Sequence, residues 1–348
     1  MQIYKSQGKK GLFDEQFTKE RLSQIGNPLE AISKVIDFEM FRSTLEEKLL
    51  NASKKSNARA KPFDVVMMFK VLILQRYYGL GDKQVEYQIL DRSSFKNFLG
   101  LASGDKVPDE KTVWLFRENI TNAGVIAELF NQFISYLESK GLIFNEGKLV
   151  DASFTVAPRQ RNTREENQKI KNGEGGDLWN DNLHKKRHKD IDARWTKKNN
   201  ETFYGYKNNI KVDTKSKFID KFTVTDASVH DSQPLDNLLD EKDEGQDFHA
   251  DSAYTGEEQE KAISKNKMIN KVNEKGYRNK PLTEEQKISN RQKSKTRARV
   301  EHVFGFMEQS MKGLFIRSVG KVRATGIIGL INLTYNLFRY EQTIRLAI

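Results

Sequence analysis

The chain has 348 residues, 37% hydrophobic and 31% charged, with a mean hydropathy of −0.71. At about 150 residues per domain, this length fits two domains or one large domain with an appendage. The content of Phe, Ile and Leu is too high for a disordered chain, and the composition is that of a soluble globular protein. With no cysteine, disulfides, thiolate nucleophiles, iron–sulfur clusters and cysteine-ligated zinc are excluded, so chemistry falls to carboxylates, histidines and hydroxyls.

Lys and Arg number 59 against 48 Asp and Glu, a net charge of +11. Two segments hold the excess. Pro158–Asn200 carries 12 basic against 7 acidic residues, and Lys271–Arg299 carries 10 against 3. Such concentration favours a polyanionic partner, because neutralised phosphates release condensed counterions; one basic run alone would read rather as a solvated loop. Met1–Glu20 has no apolar core of the kind a secretory leader needs. The longest apolar stretches, Val65–Leu74 and Ile327–Phe338, are interrupted by Lys70 and by Asn332 and Asn336. Both fall short of the roughly 18 residues of a membrane span. Core helices, a cytoplasmic location and no membrane partner are the expectation.

Asn27, Pro28 and Glu30 supply a cap, a first-turn proline and a capping-box acid ahead of Ile32, Val35, Ile36 and Phe41, which predicts a helix from Asn27 to about Leu50. Pro62 opens a buried helix, Val65–Tyr78, that stops at Gly79. Short helices begin at Asp82, Ser93 and Asp109, and a longer one runs from Ala123 to Lys140. Short helices joined by tight turns suit a helix-turn-helix module or any small bundle, so residues 1–141 form a helical domain and a candidate DNA-binding unit.

At Leu142 the period changes. Strands are predicted at Lys148–Val156, Phe203–Val212, Phe218–Thr225, Asp247–Asp251 and Met268–Val272, with helices at Asp231–Leu239 and Gly256–Ser264. Long helices follow over Thr283–Phe315 and Lys321–Ile348. Residues 142–348 thus read as an α/β domain built on a mixed sheet, with a basic insertion at about 158–200.

Three carboxylates have unusual settings. Asp151 ends the apolar run Leu149–Val150, Asp251 ends Phe248–Ala250, and Glu301 sits among Val300, Val303 and Phe304, one turn after Arg297. A buried carboxylate costs several kcal/mol unless paired or bound to a cation. Together the three suit an oxygen-only site for Mg2+ or Mn2+, and two such ions serve in-line phosphoryl displacement. Asp213 and Asp226, at predicted strand ends, are rival members. His184 and His188 have zinc-compatible spacing, but Lys185, Lys186 and Arg187 between them favour a phosphate-facing segment. His230 and His249 adjoin strand ends. Trp179 and Trp195 stand in the basic insertion, as base-stacking groups or as anchors, and Lys207 is a phosphate contact or an edge-strand lysine.

The chain resembles bacterial insertion-sequence transposases of the DDE type, in the group named after insertion sequence five. The resemblance runs from about Pro28 to Tyr340. It rests on Pro62-Phe63-Asp64, Asp91-Arg92 to Leu99-Gly100, and Val107-Pro108-Asp109 with Phe116-Arg117. Further on it rests on Val150-Asp151-Ala152, Asp192 to Trp195 leading to Tyr204-Gly205-Tyr206-Lys207, Val229-His230-Asp231-Ser232, Ala250 to Tyr254, and Arg297 with Glu301 to Gly305. It implies a ribonuclease H-like domain with Asp151, Asp251 and Glu301 as the catalytic and metal-binding triad, served by two ions of Mg2+ or Mn2+. It also implies double-stranded DNA, transposon ends and target, as partner, with Arg297, Lys207, Lys185, Lys186, Arg187 and Lys312 as DNA contacts. A homodimer and a bacterial, nucleoid-associated location follow from the same likeness. Ser294 departs from the family's tyrosine and Glu308 from its lysine, for which Lys312 is the substitute one turn on. An inactive DNA-binding descendant and a nuclease that cannot join ends are the alternatives.

Overall fold

A computed structural model describes residues 11–49, 61–198, 200–278 and 280–347. Residues 1–10, half of the segment read for a leader, and Leu50, the expected end of the first helix, lie outside the described residues. The amino-terminal part contains α1 (Asp14–Ile25), α2 (Pro28–Val35), α3 (Arg42–Leu49), α4 (Val65–Tyr78), α5 (Asp82–Asp91), α6 (Ser93–Leu99), α7 (Glu110–Asn122) and α8 (Val125–Ser139). The single helix expected from Asn27 is broken. Ile36 and Asp37 are extended, and the Asp37 carboxylate accepts from Glu39 N at 2.9 Å, so a fresh 3-10 turn, Phe38–Phe41, starts before α3. The break turns both Phe38 and Phe41 into the core. The predicted α4 is present, capped by Asp64 on Met67 N and closed by left-handed Gly79.

The second part contains β1 (Gly147–Val156), α9 (Arg164–Lys171), α10 (Leu183–Arg187), β2 (Arg194–Lys198), β3 (Glu201–Asp213), β4 (Ile219–Asp226), α11 (Leu235–Leu238), β5 (Asp247–His249), α12 (Glu257–Lys265), β6 (Ile269–Asn270), α13 (Glu284–Gly305) and α14 (Lys321–Ala347). The sheet runs β4-β3-β1-β5-β6, with β3 antiparallel to β4 and β1, and β5 parallel to both β1 and β6. This is the ribonuclease H-like mixed sheet. β2, which the sequence reading missed, joins the start of β3 antiparallel. The helix expected over Asp231–Leu239 shrinks to α11, because Pro234 lacks a donor and forces the preceding residue out of helical geometry. The helix expected to reach Phe315 ends at Gly305 and passes into a π-helical turn, Phe306–Ser310.

Alternation along β1 sends Leu149 and Val150 to different hydrophobic clusters, one on each face of the sheet. The larger cluster joins Phe41, Phe69 and Phe133 of the helical part to Leu149, Tyr206 and Ile210 of the sheet and to Val300 and Val303 of α13. α14 makes this continuity. It touches α4, α7 and α8 as well as β4, so it is buried along most of its length. Its Gly329 lies so close to α8 and β4 that an added Cβ would meet Ile126 at 2.9 Å and Phe222 at 3.1 Å. Asn332 exchanges amide hydrogen bonds with Asn208 at 2.7 and 3.1 Å, and Asn336 bonds both backbone groups of Ile219. The polar interruptions of the apolar run are therefore satisfied pairs that fix the helix on the sheet. No described helix is long and apolar enough to cross a membrane.

Candidate active site

The parallel pairing of β1 with β5 covers Gly147–Leu149 and Asp247–His249. Asp151 and Asp251 each lie two residues beyond it, where the two strands part, Asp151 within β1, which runs on beside β3 to Val156, and Asp251 just after β5; such a parting is where open α/β sheets form their crevices. Asp151 Oδ1 accepts from Ala152 N at 2.8 Å and Asp251 Oδ1 accepts from Ala253 N at 2.8 Å. Asp251 thereby caps a single 3-10 turn, Ser252–Tyr254. The second oxygen of each carboxylate has no hydrogen-bond donor among the described residues. Burial, together with the Asp251 charge, pushes the Asp151 carboxyl up to about 6, against the opposing pull of the Ala152 amide, Arg297 and Lys198. Two neighbouring carboxylates, each with one oxygen that accepts no hydrogen bond among the described residues, form an all-oxygen donor set that fits a hard divalent cation.

Glu301 is placed differently. Alternation puts Asp151 on the sheet face of Leu149, the face that α13 covers with Val300 and Val303. Arg297 therefore approaches Asp151, whereas Glu301 sits on an exposed flank of the helix, its side chain 62% accessible. Its Oε1 is 3.4 Å from Arg297. Among the described residues no three His, Asp or Glu side chains stand together as a ready ligand set. The structure thus brings Asp151 and Asp251 together and leaves Glu301 outside the pair.

The rival carboxylates organise turns. Asp213, fully buried, accepts from Ser216 N and Oγ at 2.8 Å, and Asp226 accepts from Ser228 N at 2.9 Å. His184 and His188 are exposed, with rings 4.8 Å apart. His230 Nδ1 lies 2.9 Å from Ser232 Oγ, and burial holds His249 below the usual range. Trp179 is an anchor: it is buried, and its indole donates to Glu166 at 2.6 Å. Trp195 is 41% exposed against Tyr204.

The expected DNA contacts divide in the same way. Lys207 is buried, with Nζ 2.6 Å from Asp231 and 2.5 Å from the Val229 carbonyl, which removes it from any phosphate. Lys185 pairs with Glu166 at 2.8 Å, and Lys186 donates to Gly176 O and Asn180 Oδ1. Arg187 and Lys312 are exposed, and neither forms an ion pair among the described residues. Ser294, in the tyrosine position, accepts from Asn273 at 3.1 Å and ties α13 to the segment after β6. Glu308 is exposed in the π-helical turn.

Sequence reasoning missed three neighbours of the aspartates. Asp231 is held by Lys207 and, at 3.3 Å, by Lys198. Burial alone would raise its carboxyl, but these two lysines hold it below the usual range. Tyr254 is buried with its hydroxyl unpartnered, and burial and the charges of Asp151, Asp231 and Asp251 keep that hydroxyl protonated well above its ordinary range. Its signal was the run Ala250 to Tyr254; Lys198 left no signal, because only the unforeseen strand β2 carries it to the site.

Comparisons with known proteins bear on this geometry. The model of a transposase DDE domain matches residues 144–337, and that of a transposase domain (DUF772) matches residues 16–119. The solved structure of a piggyBac transposase synaptic complex with hairpin DNA is 12% identical, covering 94% of this chain and 77% of that one at a TM-score of 0.43. Since the match to the DDE domain spans more than half of its residues, the chain belongs to the DDE transposase family.

Proposed function

We propose that this transposase binds the terminal inverted repeats of an insertion sequence and carries out metal-dependent strand cleavage followed by strand transfer. The observation that carries the reading is the Asp151–Asp251 pair, two carboxylates where β1 and β5 part, with burial first and the Asp251 charge second pushing the Asp151 carboxyl up to about 6. Asp151 and Asp251, with Glu301 completing the set, would hold divalent Mg2+ or Mn2+, which would supply Lewis-acid activation of the attacking and leaving oxygens. Asp231, braced by Lys198 and Lys207, keeps further negative charge fixed beside the crevice. Arg297, Arg187 and Lys312 meet DNA phosphates, and the amino-terminal helices contribute to end binding. Water attack exposes a 3′-hydroxyl, and that hydroxyl attacks the target phosphodiester. Each step exchanges one P–O bond for another, so no Ser or Tyr nucleophile is required. A dimer holds paired ends.

The test is a labelled duplex bearing the element's own terminal repeat, incubated with Mg2+, Mn2+ or EDTA and a target plasmid. Metal-dependent nicking at the boundary and joined product are expected, both lost in Asp251→Ala. The exposed, Arg297-bound position of Glu301 favours one second reading, a DNA-binding protein without chemistry; salt-sensitive binding with no nicking in either metal would establish it.

A further inference from the structure

A cleft of about 990 Å3 opens where three separate parts of the chain meet. Its walls come from α4 with the turn after it, from α7, from Arg187 and His188 of the basic insertion, and from residues 311–331. Six cations and two carboxylates line it. Both carboxylates are spoken for: Asp82 is paired with Arg117, its second oxygen 2.8 Å from the guanidinium, and Glu118 is 2.6 Å from Arg323. Arg76, Arg187, Lys312 and Arg317 remain, with no ion pair among the described residues. The Arg76 Nε is buried without a partner, and burial beside Arg117 brings the guanidinium down to about 10. A buried, unmatched cation is costly, and an anion entering the cleft offsets that cost. Two aromatic rings stand half exposed at the same cleft, Trp114 at 46% and Phe315 at 48%.

The cleft is also tied to the active site. Leu314 O accepts from Val156 N at 2.8 Å, and Ile316 N donates to Val156 O at 2.9 Å, so the 314–316 wall is fastened to the end of β1. Val156 is five residues beyond Asp151, or about 17 Å along the strand.

We propose that this cleft is a second DNA site, which takes a short unpaired segment of strand, its phosphates on Arg76, Arg187, Lys312 and Arg317 and its bases against Trp114 and Phe315. This extends the transposase reading and rests on it for the identity of the polyanion. Exposed rings beside unmatched cations are the combination that binds single strands with little sequence preference.

The test is anisotropy of a fluorescent six-nucleotide oligothymidine with the full chain in EDTA, across a salt series. Arg187→Glu with Arg317→Glu, both surface changes, is expected to weaken binding at least tenfold. The slope of log affinity against log salt should fall by about 1.4, at roughly 0.7 per lost phosphate. Trp114→Leu is expected to weaken binding several-fold and leave the slope unchanged. Wild-type affinity in both variants overturns the proposal. So does competition by polyphosphate of equal charge combined with no effect of Trp114→Leu, which marks a plain anion site. Because the assay contains no metal, its failure is separate from that of the catalytic reading: Asp151→Asn is expected to lose cleavage and keep oligonucleotide binding.

Discussion

The two aspartates and the glutamate are held by different kinds of structure. Asp151 lies within β1, paired with β3, and Asp251 just after β5, and each has one oxygen fixed by a backbone amide one or two residues on. Glu301 rides the exposed flank of a 22-residue helix, in reach of Arg297. Burial, with the Asp251 charge added, raises the Asp151 carboxyl in the free protein, and in the proposed reaction a divalent cation would offset that cost. The exposed glutamate contacts Arg297 instead. Under the proposed function, one half of the site is set by folding and the other half would be completed only with cation and DNA.

The sharpest way to break this comparison is to remove a fixed carboxylate. Asp251→Asn is expected to lower end cleavage by about a thousandfold or more, the scale of losing a metal-held transition-state interaction. Filter binding of the same duplex should change less than twofold. Residual cleavage near the wild-type rate would remove Asp251 from the site.

A second test reads the cost of the buried Asp151 carboxylate in metal-free protein. The Asp151 carboxyl is higher in the folded chain, about 6, than its ordinary 3.8. Below 3.8 both states are protonated and folding pays no penalty. As pH rises through 3.8 to about 6, the unfolded chain loses a proton the folded chain retains, so stability falls, and it levels off above about 6. Asp151→Asn is therefore expected to raise the melting temperature in EDTA at pH 7.5, by no more than about 3 kcal/mol of stability, and to change nothing at pH 3.5. Wild-type protein should gain stability on adding Mn2+ at pH 7.5, by an amount that grows with Mn2+ concentration. Equal melting of the two proteins at pH 7.5 would show that Asp151 is not strained.

Outside the site, the contact of α14 with the sheet gives a smaller effect. Asn332→Leu leaves the Asn208 amide buried without its partner, at a cost of about 1–3 kcal/mol measured by denaturant unfolding. An unchanged unfolding midpoint would mean that the pair contributes nothing.

The aspartates were legible in the sequence because a carboxylate closing an apolar strand and followed by small residues violates the alternation around it. The sheet was legible for the same reason of period, and α4 for its caps. What stayed hidden depends on tertiary placement. Lys207 follows Tyr204-Gly205-Tyr206 and reads as an edge lysine, yet β3 is an interior strand and Asp231 closes over it. β2 is Arg194–Lys198, too polar to announce itself, and it forms because the start of β3 offers it an open edge. Glu301 follows buried Val300 directly, and a step of about 100° around the helix carries it out of the core. No local pattern distinguishes that exposed position from one facing the aspartates.

The finest test concerns Arg297, because it touches both halves of the comparison: it lowers the Asp151 carboxyl and holds Glu301. If the contact restrains the glutamate, Arg297→Gln should tighten Mn2+ binding several-fold in the absence of DNA, measured by electron paramagnetic resonance of the free ion. Loss of a nearby positive charge alone would act in the same direction. The two causes separate in the double variant Arg297→Gln with Glu301→Gln. A purely electrostatic gain survives there, whereas a gain that comes from recruiting Glu301 disappears. Restraint predicts disappearance, and persistence of the full gain would mean that Glu301 is no part of the cation site in the free protein.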